Sequence, residues 1–283
     1  MPKRFHFISG LPRSGSTLLS AILRQNPRFH AGMSSPVSGM FRAILNIVSA
    51  GGEFAGQISS EKRQRLLSGL FDNYYADCDK EVIFDTNRAW TSHVAAIKTL
   101  FPEAKFICCV RDIAWIMDSM ERQYRKDPFE NTRLFNDDIE RASVYSRVEA
   151  LGRQNRMVGS ACSMLKEAYY AEEADALLLV DYDLLSSMPH KVLPLIYEFL
   201  GEETFQHNFD HVEYDAPGFD ANLGVDGLHR ISGPVRKNER RTILPPDLFQ
   251  KYAEMTFWHD PKGTTAHVIA PKASAGDIRA AVE

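Results

Sequence analysis

FHFISGLPRSGSTLLSAIL, residues 5–23, decides the fold class of this 283-residue chain. An apolar run over 5–9 comes first and predicts a buried strand. Gly10 and Gly15 then frame a short loop, which is followed by two hydroxyl residues and a helical apolar stripe. This order of strand, glycine loop and helix is typical of a phosphate-binding loop, because glycines let successive backbone N–H groups point at one anion. The stretch therefore predicts an α/β fold with an anion site after the first strand.

The loop lacks the lysine that triphosphate chemistry uses. In nucleotide triphosphatases and kinases that lysine follows the second glycine, and Ser16 stands there in this chain. Arg13 lies inside the loop instead, and its planar guanidinium can hold an oxyanion with two hydrogen bonds. The exchange argues against a kinase and favours a phosphate ligand with a different reacting group.

Three further apolar runs predict strands of the same sheet, over 81–85, 105–110 and 176–181. Each is nearly continuous and bounded by polar residues, which is typical of parallel strands that are covered on both faces. Helical patterns separate the runs, and we predict helices over 17–24, 37–49, 61–77, 90–100, 112–126, 138–170, 189–200 and 246–257. The alternation predicts a P-loop-like, three-layer αβα fold with a central parallel sheet and helical insertions, and with the ligand at the carboxyl ends of the strands.

Length and composition are those of one globular domain. We expect a single domain over 1–283, with a C-terminal tail over about 264–283. The net charge of −4 gives no broad basic field, so we expect no nucleic-acid partner. No apolar run approaches the roughly 18 residues of a membrane span, so we expect no membrane partner either. Four cysteines without metal-type spacing fit a reducing, cytoplasmic setting, and the adjacent Cys108 and Cys109 are expected to be buried thiols.

A second anion site is indicated where the strand over 105–110 ends. Arg111 follows that strand directly, and Ser119 lies about two turns along the predicted helix that begins near Asp112. An arginine and a serine on the same side of a helix can hold one phosphate from two directions. Taken alone, Arg111 and Asp112 also fit a surface pair at a helix start.

Together these segments resemble the sulfotransferases whose donor is 3′-phosphoadenosine 5′-phosphosulfate (PAPS). GLPRSGSTLLSAIL is similar to the 5′-phosphosulfate loop of the bacterial and Golgi members, and is particularly close to that of the tyrosylprotein sulfotransferases. LFPEAKFI and the Arg-x7-Ser spacing after it resemble the family's 3′-phosphate segment, and ALLLVDYDLLSS resembles a further family block. The resemblance assigns these residues to the donor: Pro12, Arg13, Ser14, Gly15, Ser16, Thr17, Arg111, Ser119 and Tyr182.

The basic run HRISGPVRKNERR, residues 229–241, has two interpretations. It is either a solvated surface or a cover over the donor, as an Arg-Lys-Gly segment is in cytosolic sulfotransferases. In the second case Arg236 and Lys237 contact the donor, although Asn238 replaces the family's glycine. Two loops, over 49–60 and 213–233, are likewise lids or plain surface loops.

Sulfuryl transfer requires positive charge at the bridging oxygen and a base for the acceptor's proton. We predict that Arg13 supplies the charge. Related enzymes carry a lysine just after the second strand, where this chain reads DTNR over 85–88. We predict that Arg88 supplies the missing charge and that Asp85 is a candidate base, although both also fit a structural pair at the strand end.

Histidines are further candidates for the base: His30, His93 and His229. The tyrosylprotein enzymes use a glutamate shortly after the first helix, and the matching stretch FHAGMSSPVSG contains none. This departure leaves the acceptor open between a small molecule, a glycan and a peptide.

The sequence thus predicts a cytoplasmic, bacterial-type sulfotransferase that moves the sulfuryl group of PAPS to a hydroxyl or amine without a metal. Its oligomeric state is left open. Two alternatives remain at this point. One is a metal-dependent P-loop kinase, in which Asp181 would hold Mg²⁺. The other is a catalytically silent nucleotide-binding protein, which the missing lysine near Thr86 would fit.

Overall fold

A six-stranded parallel sheet forms the centre of the computed structural model, which describes residues 3–49, 52–127, 129, 134–223 and 227–271. Its strands are β1 (Arg4–Gly10), β2 (Phe29–His30), β3 (Val82–Thr86), β4 (Phe106–Val110), β5 (Leu177–Asp181) and, after a separate hairpin, β8 (His267–Ile269). They lie in the order β2-β3-β1-β4-β5-β8, and every pairing is parallel. The hairpin consists of β6 (Val212–Tyr214) and β7 (Ile231–Gly233), which pair antiparallel.

Helices cover both faces of the sheet. Their bounds are α1 (Ser16–Leu23), α2 (Val37–Val48), α3 (Ser60–Tyr74), α4 (Val94–Leu100), α5 (Ile113–Tyr124), α6 (Asp138–Arg141), α7 (Val144–Gly152), α8 (Met157–Tyr169), α9 (Tyr182–Ser187), α10 (Pro189–Leu200), α11 (Pro217–Leu223) and α12 (Pro246–Ala253). Short 3₁₀ turns lie at Ala55–Gln57, Arg88–His93, Glu172–Ala176 and Phe257–His259.

Two buried apolar layers hold these helices on the sheet. One layer joins one face of the strands to α2, α3, α4, α5, α7, α8 and α12, and the other joins the opposite face to α1, α9 and α10. Because successive strand side chains point to opposite faces, Cys108 packs in the first layer and Cys109 in the second, both fully buried. The predicted three-layer αβα fold with a central parallel sheet is confirmed.

The four predicted strands each agree with an observed strand to within about one residue at either end. The single helix predicted over 138–170 is wrong, because α6, α7 and α8 occupy that stretch. Ser143 starts α7 afresh by accepting from the Ser146 backbone N–H while the Ser146 hydroxyl accepts from the Ser143 N–H. The loop predicted over 213–233 contains most of β6, together with α11 and β7.

The segment expected as a tail over 264–283 includes an edge strand of the sheet. β8 pairs with β5, from Leu178 beside His267 to Val180 beside Ile269. The Thr264 hydroxyl donates to the Tyr169 carbonyl, which ties the approach to β8 onto the end of α8. The remainder of that expected tail, from 272 onward, lies outside the described residues.

Candidate functional site

A cavity of about 590 Å³ opens at the carboxyl ends of β1, β3 and β4. Its lining includes six arginines, which come from four separate parts of the chain: Arg13, Arg88, Arg111, Arg230, Arg236 and Arg240. Within the described residues, no aspartate or glutamate lines this cavity. Arg240 is paired with Asp118, while the other five guanidinium groups form no ion pair among the residues that the structure describes and give a strong local field for a multiply charged anion.

The loop between β1 and α1 forms one end of the cavity. Gly10 and Gly15 have φ angles of 103° and 94°, in the region that favours glycine. A Cβ at Gly10 would lie 2.2 Å from the Cys109 carbonyl oxygen, and one at Gly15 would lie 2.7 Å from the Tyr182 ring. Arg13 also has a positive φ, 57°, which is unusual for a residue with a side chain. The loop is thus held in a conformation set by close packing against β4 and Tyr182.

Most of the loop residues predicted to bind the donor line the cavity: Pro12, Arg13, Gly15, Ser16 and Thr17. Ser14 is the exception. Its fully buried hydroxyl donates to the Leu11 carbonyl and, at 2.9 Å, to the Cys109 carbonyl. The Ser14 side chain therefore fastens the loop to β4, and the sequence prediction that it binds the donor is not supported for this hydroxyl.

The two predicted anion sites meet in this one cavity. Arg13 Nε donates to Ser119 Oγ on α5 over 3.2 Å, and the Arg111 guanidinium carbon lies 4.3 Å from the centre of the Tyr182 ring. The buried Nε of Arg111 has no hydrogen-bond partner within the described part of the chain. Burial, and then the nearby Arg111 charge, lowers the pKa of Arg13. An anion between these groups would satisfy the unpaired donor and offset the charge repulsion.

The basic run over 229–241 contributes another wall. Arg236, Asn238 and Arg240 line the cavity, as expected for a donor cover. Lys237 is instead paired with Asp183, with 2.8 Å between Nζ and Oδ2, and it is not among the lining residues. The contact with the donor predicted for Lys237 is therefore not supported, because α9 holds its ammonium group outside.

Asp85 at the end of β3 does not fit the predicted role of base. Its side chain is fully buried, and it accepts hydrogen bonds from the Ser35 hydroxyl at 2.6 Å, the Tyr75 hydroxyl at 2.6 Å and the Trp90 indole N–H at 2.7 Å. Burial raises the pKa of Asp85. The carboxylate fixes the chain around the Arg88–His93 turn.

Arg88 lines the cavity, and burial lowers its pKa.

Asp181 caps α9, and its carboxylate, like that of Asp85, is already committed to hydrogen bonds within the protein. Its Oδ1 accepts the backbone N–H groups of Asp183 at 2.9 Å and Leu184 at 3.1 Å. Burial raises the pKa of this carboxyl to about 6. A carboxyl committed to a helix N-terminus does not fit the Mg²⁺ ligand of the kinase alternative.

One of the three candidate histidines, His229, lines the cavity. Its Nδ1 lies 2.5 Å from Oδ1 of Asp220, while its backbone N–H donates to Oδ2 of the same carboxylate over 3.0 Å. Asp220 on α11 is fully buried, and the Phe219 ring lies 5.3 Å from the imidazole. This pairing fixes the imidazole and leaves its Nε2 for the cavity. Asp220 could not be predicted as its partner, because no motif in the sequence marks it.

The other two histidines lie elsewhere. The His93 ring packs against Phe41 at 5.3 Å and Trp90 at 6.4 Å, and the His30 ring packs against Tyr75 at 5.5 Å. Neither is among the residues that line the cavity. Of the three candidate histidines, His229 is therefore the one whose position in the cavity fits the role of base.

A protein-family model described as "Sulfotransferase family" matches residues 6–207, which is more than two thirds of the chain. The chain belongs to the sulfotransferase family. It is accordingly a transferase enzyme, and the resemblance stated from the loop and the Arg-x7-Ser segment is confirmed at the level of the family. No curated protein matches the chain.

Several solved structures are similar to this sulfotransferase. The sulfotransferase domain from the Synechococcus PCC 7002 olefin synthase is 20% identical, with a TM-score of 0.49, and the match covers 92% of this chain and 96% of that one. The sulfotransferase domain from the curacin biosynthetic pathway is 15% identical, with a TM-score of 0.48 and coverage of 90% and 97%. A sulfotransferase from Alicyclobacillus acidocaldarius is 15% identical, with a TM-score of 0.48 and coverage of 79% and 90%.

Within the described residues, this sulfotransferase has no helix of the length and apolar character needed to cross a membrane. The same residues contain no group of three or more histidine, cysteine, aspartate or glutamate side chains placed to hold a metal ion.

A buried carboxylate joins the basic wall of the sulfotransferase to the helix that carries Ser119. Asp118 is fully buried and accepts from Arg122 Nε at 2.9 Å, Arg240 at 2.9 Å, the Thr242 hydroxyl at 3.0 Å and the Ile243 backbone N–H at 2.7 Å. The segment over 240–243 is therefore anchored to α5 by one side chain. The contact fixes Arg240 relative to the helix that carries Ser119.

Asp118→Asn should loosen this anchor. It leaves the two guanidinium groups without their anion, and we expect a loss of about 1.5–3 kcal/mol in the free energy of unfolding. The nucleotide-binding role predicted from the sequence implies weaker nucleotide binding as well, since Arg240 loses its fixed position. Urea unfolding and nucleotide titration measure the two effects. Asp138→Asn is the matched control, because Asp138 is 98% exposed in its ion pair with Arg141 and should contribute at most about 0.5 kcal/mol. Equal stability of the two variants would contradict the anchoring role.

Proposed function

We propose that this sulfotransferase uses PAPS as its donor and transfers the sulfuryl group to a hydroxyl or an amine of an acceptor; in the hydroxyl case the attacking atom is oxygen. The observation that carries the proposal is the six-arginine cavity with no described carboxylate among its lining residues. PAPS presents a 5′-phosphate, the sulfate attached to it and a 3′-phosphate, and several guanidinium groups from four separate parts of the chain suit a ligand with this distribution of charge.

The loop after β1 is proposed to hold the 5′-phosphosulfate. The backbone N–H groups at the start of α1 and the hydroxyls of Ser16 and Thr17 are the donors there, and the positive end of the helix dipole adds to them. Arg13 is the side chain best placed to hold the oxygen that bridges phosphorus and sulfur. Its guanidinium already bonds Ser119 and the Leu228 carbonyl, which fixes its orientation before a ligand binds.

Arg111 and Ser119 are proposed to hold the 3′-phosphate, with Arg236 as a further cation. Support comes from the unpartnered Nε of Arg111 and from its guanidinium lying over the Tyr182 ring. Tyr182 lines the cavity beside Gly15, so its ring contacts the nucleotide in this proposal and also orients Arg111.

In the proposed reaction the acceptor oxygen attacks sulfur in line with the bond to the bridging oxygen. That bond breaks, the electron pair goes to the 5′-phosphate, and the product is 3′-phosphoadenosine 5′-phosphate (PAP). His229 Nε2 accepts the acceptor's proton, while the buried Asp220 stabilises the imidazolium that forms. Arg13 and Arg88 stabilise the charge that develops on the transferred and leaving oxygens.

We also propose the reducing, cytoplasmic environment and the single domain that the sequence predicts. Cys78, Cys108, Cys109 and Cys162 are free thiols, which supports a reducing, cytoplasmic environment. The continuous parallel sheet from β2 to β8 supports a single catalytic domain.

Calorimetric titration tests the donor. We expect PAP to bind without a divalent ion, and 5′-AMP, which lacks the 3′-phosphate, to bind about 10- to 100-fold more weakly because hydrogen bonds to charged groups are lost. Arg111→Ala should remove most of that difference. Tight magnesium-dependent binding of ATP together with no affinity for PAP would overturn the proposal in favour of the kinase alternative.

A further inference from the structure

We propose that the acceptor of this sulfotransferase is an uncharged, largely apolar alcohol or phenol. The inference rests on the proposed function and deepens it, because the acceptor is otherwise open between small molecules, glycans and peptides and between hydroxyls and amines. It is carried by an apolar wall of the cavity, which we define as Met33, Met120, Leu134, Met157 and Phe219.

The apolar wall is assembled from five separate segments. Met33 follows β2, Met120 lies on α5, Leu134 precedes α6, Met157 begins α8 and Phe219 lies on α11. Met33, Leu134, Met157 and Phe219 are each only half-buried. Large apolar side chains that converge on one cavity and keep part of their surface uncovered are a favourable contact for an apolar ligand.

The apolar wall begins at the reacting end of the cavity. Met33 Sδ lies 3.6 Å from Thr17 Oγ1 of the loop proposed to hold the phosphosulfate. At the other side the Phe219 ring lies 5.3 Å from the ring of His229, the proposed base. An acceptor whose hydroxyl lies between the loop and His229 therefore places its adjoining atoms against Met33 and Phe219.

The charges around the cavity disfavour an amine. Aliphatic amines are protonated at neutral pH, and six guanidinium groups line this cavity. The nearest carboxylate to the proposed base is Asp220, which is fully buried and bonded to His229 through both oxygens. It cannot neutralise an incoming ammonium without releasing the histidine.

The chemistry of the apolar wall disfavours a glycan. A carbohydrate hydroxyl that leaves water needs a hydrogen-bond partner, and leaving it unpaired weakens binding. Leucine and phenylalanine side chains offer none, and a methionine sulfur is only a weak acceptor. Methionines are instead suited to apolar groups of varied shape, because their unbranched chains adapt to the surface they meet.

Transfer of labelled sulfate from PAPS to matched acceptors tests the inference. We expect 1-octanol to be sulfated with a kcat/KM at least tenfold above that of octylamine and of glucose. Across a series of primary alkanols, kcat/KM should rise about three- to fourfold for each methylene that reaches the apolar wall. A phenol with an apolar substituent should be preferred in the same way over the corresponding benzylamine, which is protonated at neutral pH.

Met157→Gln keeps the length of the side chain and makes it polar. We expect it to lower kcat/KM for 1-octanol about tenfold while the affinity for PAP stays within twofold of the wild type. Met255→Gln is the matched control, because Met255 is 45% exposed and does not line the cavity, and it should change neither quantity. Similar kcat/KM values for the two variants would overturn the role of the apolar wall.

The apolar acceptor and the PAPS donor can be excluded separately. If PAP binds but glucose or octylamine is the better acceptor, or if 1-octanol and the apolar phenol are not sulfated at all, the apolar acceptor is excluded while the donor assignment stands. If PAP does not bind, the proposed function itself is excluded.

Discussion

Arg13→Ala should lower kcat about 100- to 1,000-fold, because it removes a fixed donor from the place where charge develops in the transition state. That loss corresponds to roughly 2.7–4 kcal/mol of transition-state stabilisation. We expect the affinity for PAP to change by less than tenfold, since the main-chain N–H groups of the loop and Arg111 remain. Steady-state kinetics with labelled PAPS and titration with PAP measure the two quantities separately.

Two further substitutions separate the guanidinium from the backbone at this position. Residue 13 has a φ of 57°, where arginine and alanine both carry a conformational strain of about 1–2 kcal/mol that glycine does not. Arg13→Gly should therefore be more stable than Arg13→Ala without restoring kcat. Arg13→Lys keeps a positive charge but lacks the planar pair of donors, and it should recover only part of the rate.

Arg111→Ala should change a different kinetic parameter from Arg13→Ala. Because Arg111 is proposed to hold the 3′-phosphate and not the reacting group, this variant should raise the KM for PAPS about 10- to 100-fold with a smaller change in kcat. Small and equal effects of Arg13→Ala and Arg111→Ala on both parameters would contradict the division of roles.

His229→Gln should reduce kcat by about 100- to 10,000-fold, as expected for the loss of a general base. Asp220→Asn keeps the size of the side chain but removes the charge that stabilises the imidazolium, and it should lower kcat with little change in the KM for PAPS.

His30→Gln and His93→Gln are the controls for this result. Both histidines are partly buried against aromatic rings, and neither lines the cavity. Their substitution should therefore leave kcat within a few-fold of the wild type. A kcat for His229→Gln within the range of the two control variants would rule out this residue as the base.

The parts of the fold and site that could be predicted from sequence have local causes. Continuous apolar runs mark β1, β3, β4 and β5, because parallel strands are buried on both faces. The glycine loop and the Arg-x7-Ser spacing are likewise short-range patterns, and the structure places Arg13, Arg111 and Ser119 together in one cavity. β2 and β8 escaped prediction because two or three residues at a sheet edge carry too little pattern.

The direction in which polar side chains point could not be predicted, because tertiary contacts decide it. Ser14 bonds two carbonyls, Asp85 is enclosed by three donors, and Lys237 pairs with a residue of α9. The same reason hid the pairing of Asp220 with His229. It depends on a helix within a stretch that has no clear periodicity in the sequence.

The hydrogen bond from Arg13 Nη1 to the Leu228 carbonyl connects positions that are 215 residues apart in the sequence. Two distant stretches of the chain are thereby joined through the very side chain proposed to act on the bridging oxygen. A substitution that moves the backbone at Leu228 would therefore change the orientation of this guanidinium without altering the loop after β1.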